Sequence, residues 1–164
     1  MSIFEMEILF TAFLCSLVSG FLFAFAIVIM PGIKNLDDKQ FIKTFQTIDR
    51  IIQDNQPLFL MVWVGSIVSL ILCAITGFAK LQGVDLGYLL LATLAYLGGV
   101  QALTIFIHLP LNNKLQKYDV EAMNEVELHA ARQAFEPRWN RSNVTRTVIA
   151  SCVSLLLIML ALRY

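Results

Sequence analysis

The chain of 164 residues is 58% hydrophobic and only 15% charged, with no net charge and a mean hydropathy of +0.73. Soluble domains carry about 25% charged residues, so a water-soluble globule is excluded and lipid becomes part of the solvent. The charge balance leaves no electrostatic footprint for nucleic acid, and three cysteines scattered through apolar sequence exclude a disulfide scaffold.

In chain order, the first stretch without Asp, Glu, Lys or Arg covers 8–33. Its flank is acidic (Glu5, Glu7) and no small-residue cleavage site follows, so it reads as a retained helix rather than a signal peptide. The polar stretch from Pro31 to Gln56 follows. Asp37 or Asp38 can cap a helix there, and Phe41, Phe45, Ile48 and Ile52 recur at helical spacing. That apolar face predicts a helix lying on the membrane surface or on another polar segment. Pro57 suits the first turn of a second span. Residues 55–79 are again free of charge, and a short Gly-containing connection, Lys80 to Gly87, predicts a tight hairpin. The third uncharged run, 86–113, contains His108 and reaches Pro110, which is expected to stop or kink its helix. Asp119 can cap a polar helix through about Phe135, with Pro137 ending it. The last run, 147–162, is the shortest, so Arg146 and Arg163 are expected to reach toward the interfaces.

About 20 helical residues cross a 30 Å hydrocarbon core. The pattern therefore predicts one all-α membrane domain over 1–164. It is a four-transmembrane-helix bundle running up-down-up-down, with additional helices in the 1–2 and 3–4 connections. The spans fall at about 8–30, 57–79, 87–109 and 146–162. The two long connections hold ten of the twelve Lys and Arg residues. The positive-inside rule then places them in the cytoplasm of a bacterial inner membrane, with both termini outside.

Polar groups facing lipid are costly, so those within the spans should look inward. Gln101, Thr104 and His108 stand at i, i+3 and i+7 and share a helical face. His108 is the single His, Asp, Glu, Lys or Arg of the four runs. It titrates near neutral pH and can serve as a base. Beyond Pro110 come Asn112 and Asn113. A second cluster, Phe135 to Thr147, holds Arg138, Trp139, Asn140, Arg141 and Arg146. It reads either as an interfacial belt or as a clamp for an anion or oxygen ligand. Small residues at four-residue spacing (Ser16, Gly20, Ala24; Gly65, Ser69, Cys73, Gly77) predict close helix packing. A metal held by His108 with Glu136 or Asn112 is an option that no spacing demands.

Taken together, Met30-Pro31-Gly32, Phe45-Gln46 with Ile48-Asp49, Asn55 with Pro57 and Phe59, Gly99-Val100-Gln101, Thr104, His108 to Asn113, Trp139-Asn140 and Arg146-Thr147 resemble the anthrone oxygenase-like membrane proteins in order and spacing. The resemblance implies a four-helix bundle. In fungal members it implies oxidation of polyketide anthrones to anthraquinones by O2, without an evident metal or organic cofactor. The chain departs from the pattern at Asp49, where Asn is common, at Gln56, an extra residue, and at His108, which is often Asn.

Two readings follow. In one the protein is an oxidoreductase for a lipophilic phenolic or anthrone-like substrate, its partners being that molecule, O2 and the bilayer. His108 and Arg146 would be catalytic, and Gln101, Thr104, Asn112, Arg138, Trp139, Asn140 and Asn55 would bind substrate, with no metal or cofactor. In the other it is a non-catalytic small-molecule-binding, scaffold or accessory protein whose polar motifs lock the connections over the bundle. Homo-oligomerisation is compatible with both.

Overall fold

The computed structural model describes residues 2–164. They form five helices: α1 (Ile3–Ile33), α2 (Asp38–Gln53), α3 (Pro57–Lys80), α4 (Gly83–Gln116) and α5 (Glu125–Ala161). No strand occurs among the described residues. Helices α1, α3, α4 and α5 are each long and apolar enough to cross a membrane, so the chain is an all-α bundle of the kind the uncharged runs predict.

Local sequence sets the helix starts. Ser2 and Glu5 form a reciprocal capping box on α1 (2.9 and 3.2 Å). Asp37 caps α2 through the Gln40 N–H (2.7 Å). Gln56 caps α3, with Pro57 in the first turn. The polar helix of the last connection starts later than expected. Asp119 heads only a turn, accepting from the Glu121 N–H (3.1 Å). Asn124 with Glu127 supplies the capping box that opens α5 at Glu125.

Pro137 does not end its helix as predicted, and Pro110, expected to stop or kink its helix, does not stop it. In α1 a π-helical stretch (Phe25–Ile29) lies just ahead of Pro31, and in α4 another (Thr104–His108) lies just ahead of Pro110. Met30 N–H reaches back to Phe25 O, and Leu109 N–H to Thr104 O. Such a turn shifts the hydrogen-bond register, so the donor that proline lacks is not missed and the helix continues. Pro137 likewise sits within the unbroken α5. Its ring is exposed, while Phe135 and Trp139 on either side are buried and hold both halves of the helix to the same core.

Two apolar cores stack along the bundle. One lies among the spans, around Ile8, Leu22, Leu70, Leu89, Tyr96 and Leu157. The other lies at the end carrying the two connections, where Phe41 and Phe45 of α2 meet Phe135 and Trp139 of α5 (ring centroids 4.6 Å for Phe45–Phe135 and 5.5 Å for Phe45–Trp139). Helix α2 therefore packs on the other polar segment. Arg132 fastens it, donating to the Lys34 and Leu36 carbonyls (2.6 and 2.8 Å) and to Asp38 and Glu136 (3.1 and 2.7 Å), with its guanidinium over Phe41.

Close approach of helices falls at particular glycines. A Cβ on Gly77 would meet Leu89 at 2.3 Å, and one on Gly99 would meet Ile149 at 2.6 Å. The Ser16–Gly20–Ala24 stripe is not a seam, because Gly20 has open space around it. Its neighbour Ser19 faces α5 instead and bonds Ser151 (2.9 Å).

Candidate functional site

A cavity of about 410 Å³ lies between the two cores, within the roughly 300–1,000 Å³ typical of small-molecule sites. Every helix contributes. Phe21 and Phe25 come from α1, Asp49 from α2, Phe59 and Trp63 from α3, Gln101, Thr104, His108 and Asn112 from α4, and Trp139 and Arg146 from α5. The π-helical turns of α4 span this region, and the three polar residues of its shared face line one cavity.

The polar side chains divide into two sets. The first is closed. Trp139 Nε1 donates to Asn112 Oδ1 (2.9 Å), Asn112 Nδ2 donates to Asp49 Oδ1 (2.8 Å), and Asp49 Oδ2 accepts from Gln116 (3.0 Å) and Gln53 (2.6 Å). This chain ties α2, α4 and α5 together and leaves each member partnered.

The second set keeps unused capacity. Arg146 is 5% exposed. It donates through Nε to Asn143 Oδ1 (3.0 Å) and through Nη1 to Thr104 Oγ1 (3.1 Å), both neutral groups. No carboxylate pairs with it among the described residues. Its guanidinium sits 5.7 Å from the centre of the Trp139 ring, within reach of a cation–π attraction. His108 is buried edge-on to Trp139 (5.0 Å), with Nε2 bonded to Ser142 Oγ (3.0 Å). Its Nδ1 has no partner. If Nε2 carries the proton and donates to Ser142, Nδ1 keeps a free lone pair. Gln101 accepts from Trp63 Nε1 (3.0 Å) while its own Nε2 is unpartnered. The site is thus an aromatic chamber holding one buried, uncompensated cation, one imidazole with a spare nitrogen and one free amide donor.

Of the residues singled out from sequence, His108, Arg146, Gln101, Thr104, Asn112, Trp139 and Asn55 line the cavity. Asn55 does so from the α2–α3 turn, where its φ of 60° uses the tolerance of Asn for the left-handed region. Arg138 and Asn140 are not among the lining residues. Arg138 is exposed and lies with Arg141, Leu103 and Ile107 along a separate outer groove. Glu136 is engaged by Arg132 and does not join His108 at the cavity. A sequence signal for this split was present: Trp139, Ser142, Asn143 and Arg146 stand at i, i+3, i+4 and i+7, one helical face, but it needs α5 to run through Pro137. Asp49 and Trp63 gave no local signal for the site, since the bonds that tie them to α4, to Asn112 and Gln101, span 63 and 38 residues.

Comparison with known families gives one match. The model described as anthrone oxygenase fits residues 57–156, which takes in α3, α4 and most of α5 with Gln101, Thr104, His108, Asn112, Trp139 and Arg146. No curated protein and no solved structure matches the chain.

Proposed function

The chain belongs to the anthrone oxygenase family, and from that premise we propose that it oxidises a lipophilic phenolic or anthrone-like carbon acid with O2 inside the aromatic cavity. The observation that carries the reading is Arg146, a buried guanidinium beside the cavity that neutral groups alone hold in place. A buried cation of this kind suits an oxygen that becomes negative during reaction.

The chemistry balances without further reagents. His108 Nδ1 takes a proton from the acidic ring carbon, and the resulting aryloxide rests against Arg146. The electron-rich carbon passes electrons to O2 and forms a carbon–oxygen bond, giving a peroxide that takes up the proton. Loss of water leaves the quinone carbonyl, so one oxygen atom enters the product and the other leaves as water. Phe21, Phe25, Phe59 and Trp63 would flank a planar substrate and keep bulk water from the anion, where hydrogen-bond donors count for more. The two connections are assigned to the cytoplasm, following their excess of Lys and Arg.

The test is quinone formation from 1,8-dihydroxyanthrone by protein in lipid nanodiscs, corrected for spontaneous oxidation. Arg146→Gln should lower the rate about 10²–10³-fold, the loss typical for one oxyanion donor. His108→Ala should reduce it to background while the protein remains folded. Unchanged turnover in folded His108→Ala would remove the base assignment.

A second reading, structural locking, is favoured for the closed set. Asn112, Trp139 and Asp49 have all their hydrogen bonds to protein, so their loss acts first on stability.

A further inference from the structure

The bundle's seams are not equally closed. Helices α1 and α5 pack along their length, as do α1 and α3. The α4–α5 seam is shut by Gly99 against Ile149 and by the Thr104–Arg146 and His108–Ser142 bonds. The α2–α4 seam is shut by Gln46, which donates to the Leu115 and Tyr118 carbonyls (2.8 and 3.0 Å), and by Gln116, which donates to the Gln46 carbonyl (2.9 Å).

The α3–α4 seam differs. These helices pack along the hairpin half of α4, Gly83–Ala95. Ser66 with Tyr96 (2.7 Å) and Trp63 with Gln101 (3.0 Å) then bridge them. Beyond those two rungs packing between the helices falls away, and the cavity occupies the fork. Leu60 of α3 and Ile105 and Leu109 of α4 line the cavity and are 37%, 54% and 47% exposed. All three are apolar, at the level of spans that face hydrocarbon. Cavity wall this accessible marks an opening, apolar along Leu60, Ile105 and Leu109 and polar where the exposed Gln53 and Asn55 at the α2–α3 turn complete the lining.

We propose that the fork between α3 and α4 is a lateral portal through which a planar, membrane-dissolved hydroxyaromatic enters from the bilayer. This rests on the oxygenase reading for the nature of the ligand. The charges agree with it: an apolar threshold admits a neutral molecule from lipid, and Arg146, with no carboxylate of its own, receives the oxygen once inside. Trp63 and Gln101 form the inner sill, where Gln101 Nε2 is buried without a partner. The portal makes membrane partitioning a determinant of specificity, so that glycosylated or sulfated forms of the same ring system are excluded at the threshold.

The experiment follows entry without relying on turnover. In a Cys152→Ser background, Ile105→Cys is labelled in nanodiscs with a bulky lipid-soluble maleimide, and Val148→Cys on α5 serves as the control. Binding of 1,8-dihydroxyanthraquinone, which O2 does not consume, is followed by stopped-flow quenching of Trp63 and Trp139 fluorescence. Labelling at Ile105 is expected to slow association at least tenfold, with labelling at Val148 without effect. An unchanged association rate after complete labelling at Ile105 would overturn the portal and leave the oxygenase reading untouched. Binding and normal portal kinetics in a protein that never turns over 1,8-dihydroxyanthrone would sink the oxygenase reading and keep the portal. No quenching at all, in unlabelled protein, would remove both. Ile105→Phe, which narrows the fork without chemistry and without adding a tryptophan, gives a second measure of the same rate.

Discussion

Taking an ion out of water costs several kcal/mol even after the protein relaxes, and Arg146 is buried with only Asn143 and Thr104 as hydrogen-bond acceptors. Selection for stability alone would place an apolar residue there. Arg146→Met is therefore expected to leave the melting temperature in detergent unchanged or higher while turnover falls. A drop of several degrees would instead make Arg146 a structural tie. Asp49 is the opposite case. Its carboxylate accepts from Gln53, Asn112 and Gln116, so Asp49→Ala takes an acceptor from three amides, of which Gln116 keeps the Gln46 carbonyl. Each buried orphan costs about 1–3 kcal/mol, and partial exposure of these amides brings the sum to about 3 kcal/mol. Chemical unfolding should register that loss, and an unaltered midpoint would mean the network carries no stability. Measured side by side, the two variants separate residues that wait for a ligand from residues that hold helices.

Helices in lipid gain little from hydrophobic burial against one another and rely on close packing. The α4–α5 seam depends on Gly99, where an added methyl would lie 2.6 Å from Ile149. Gly98, one residue earlier, has open space. Gly99→Ala is expected to destabilise the protein by about 1–3 kcal/mol, as overpacking does. Gly98→Ala should stabilise it by up to about 1 kcal/mol through helix propensity. Equal effects at the two positions would show that the seam is looser than its geometry indicates. The π-helical turns belong to the same scale. They let α1 and α4 pass Pro31 and Pro110 without breaking, and in α4 they set the register that brings Gln101, Thr104 and His108 to one chamber. Regular helical spacing found the shared face. It could not find the π turns, because a bulge is a compromise between a proline and the packing around it.

Across the whole molecule, α2 and the last connection form a polar layer fastened over the spans. Part of that fastening is Glu121, which Lys39 and Lys43 grip at 2.6 and 2.5 Å. Hydrogen bonds from the two lysines, with their charge, pull its carboxyl from the usual 4.5 to about 2. A carboxyl depressed in the folded state contributes stability above its unfolded value and loses it as pH falls toward the folded one. The Glu121 contribution should therefore be full above pH 4.5 and fade between 4.5 and 2. Glu121→Gln should lack that component, and identical stability–pH curves for both proteins over this window would show the grip to be idle in solution. The sequence by itself determined the solvent, the number of spans, the Asp37 cap of α2 and the inward face of Gln101, Thr104 and His108, because charge-free length and helical periodicity are properties of consecutive residues. Only the tertiary structure decided that Arg146 rather than Arg138 enters the cavity, that Asp49 ties Asn112 to α2, and that α3 packs mainly on the hairpin half of α4. Those outcomes depend on how each helix is rotated against partners tens of residues away, and packing of the assembled bundle fixes that rotation.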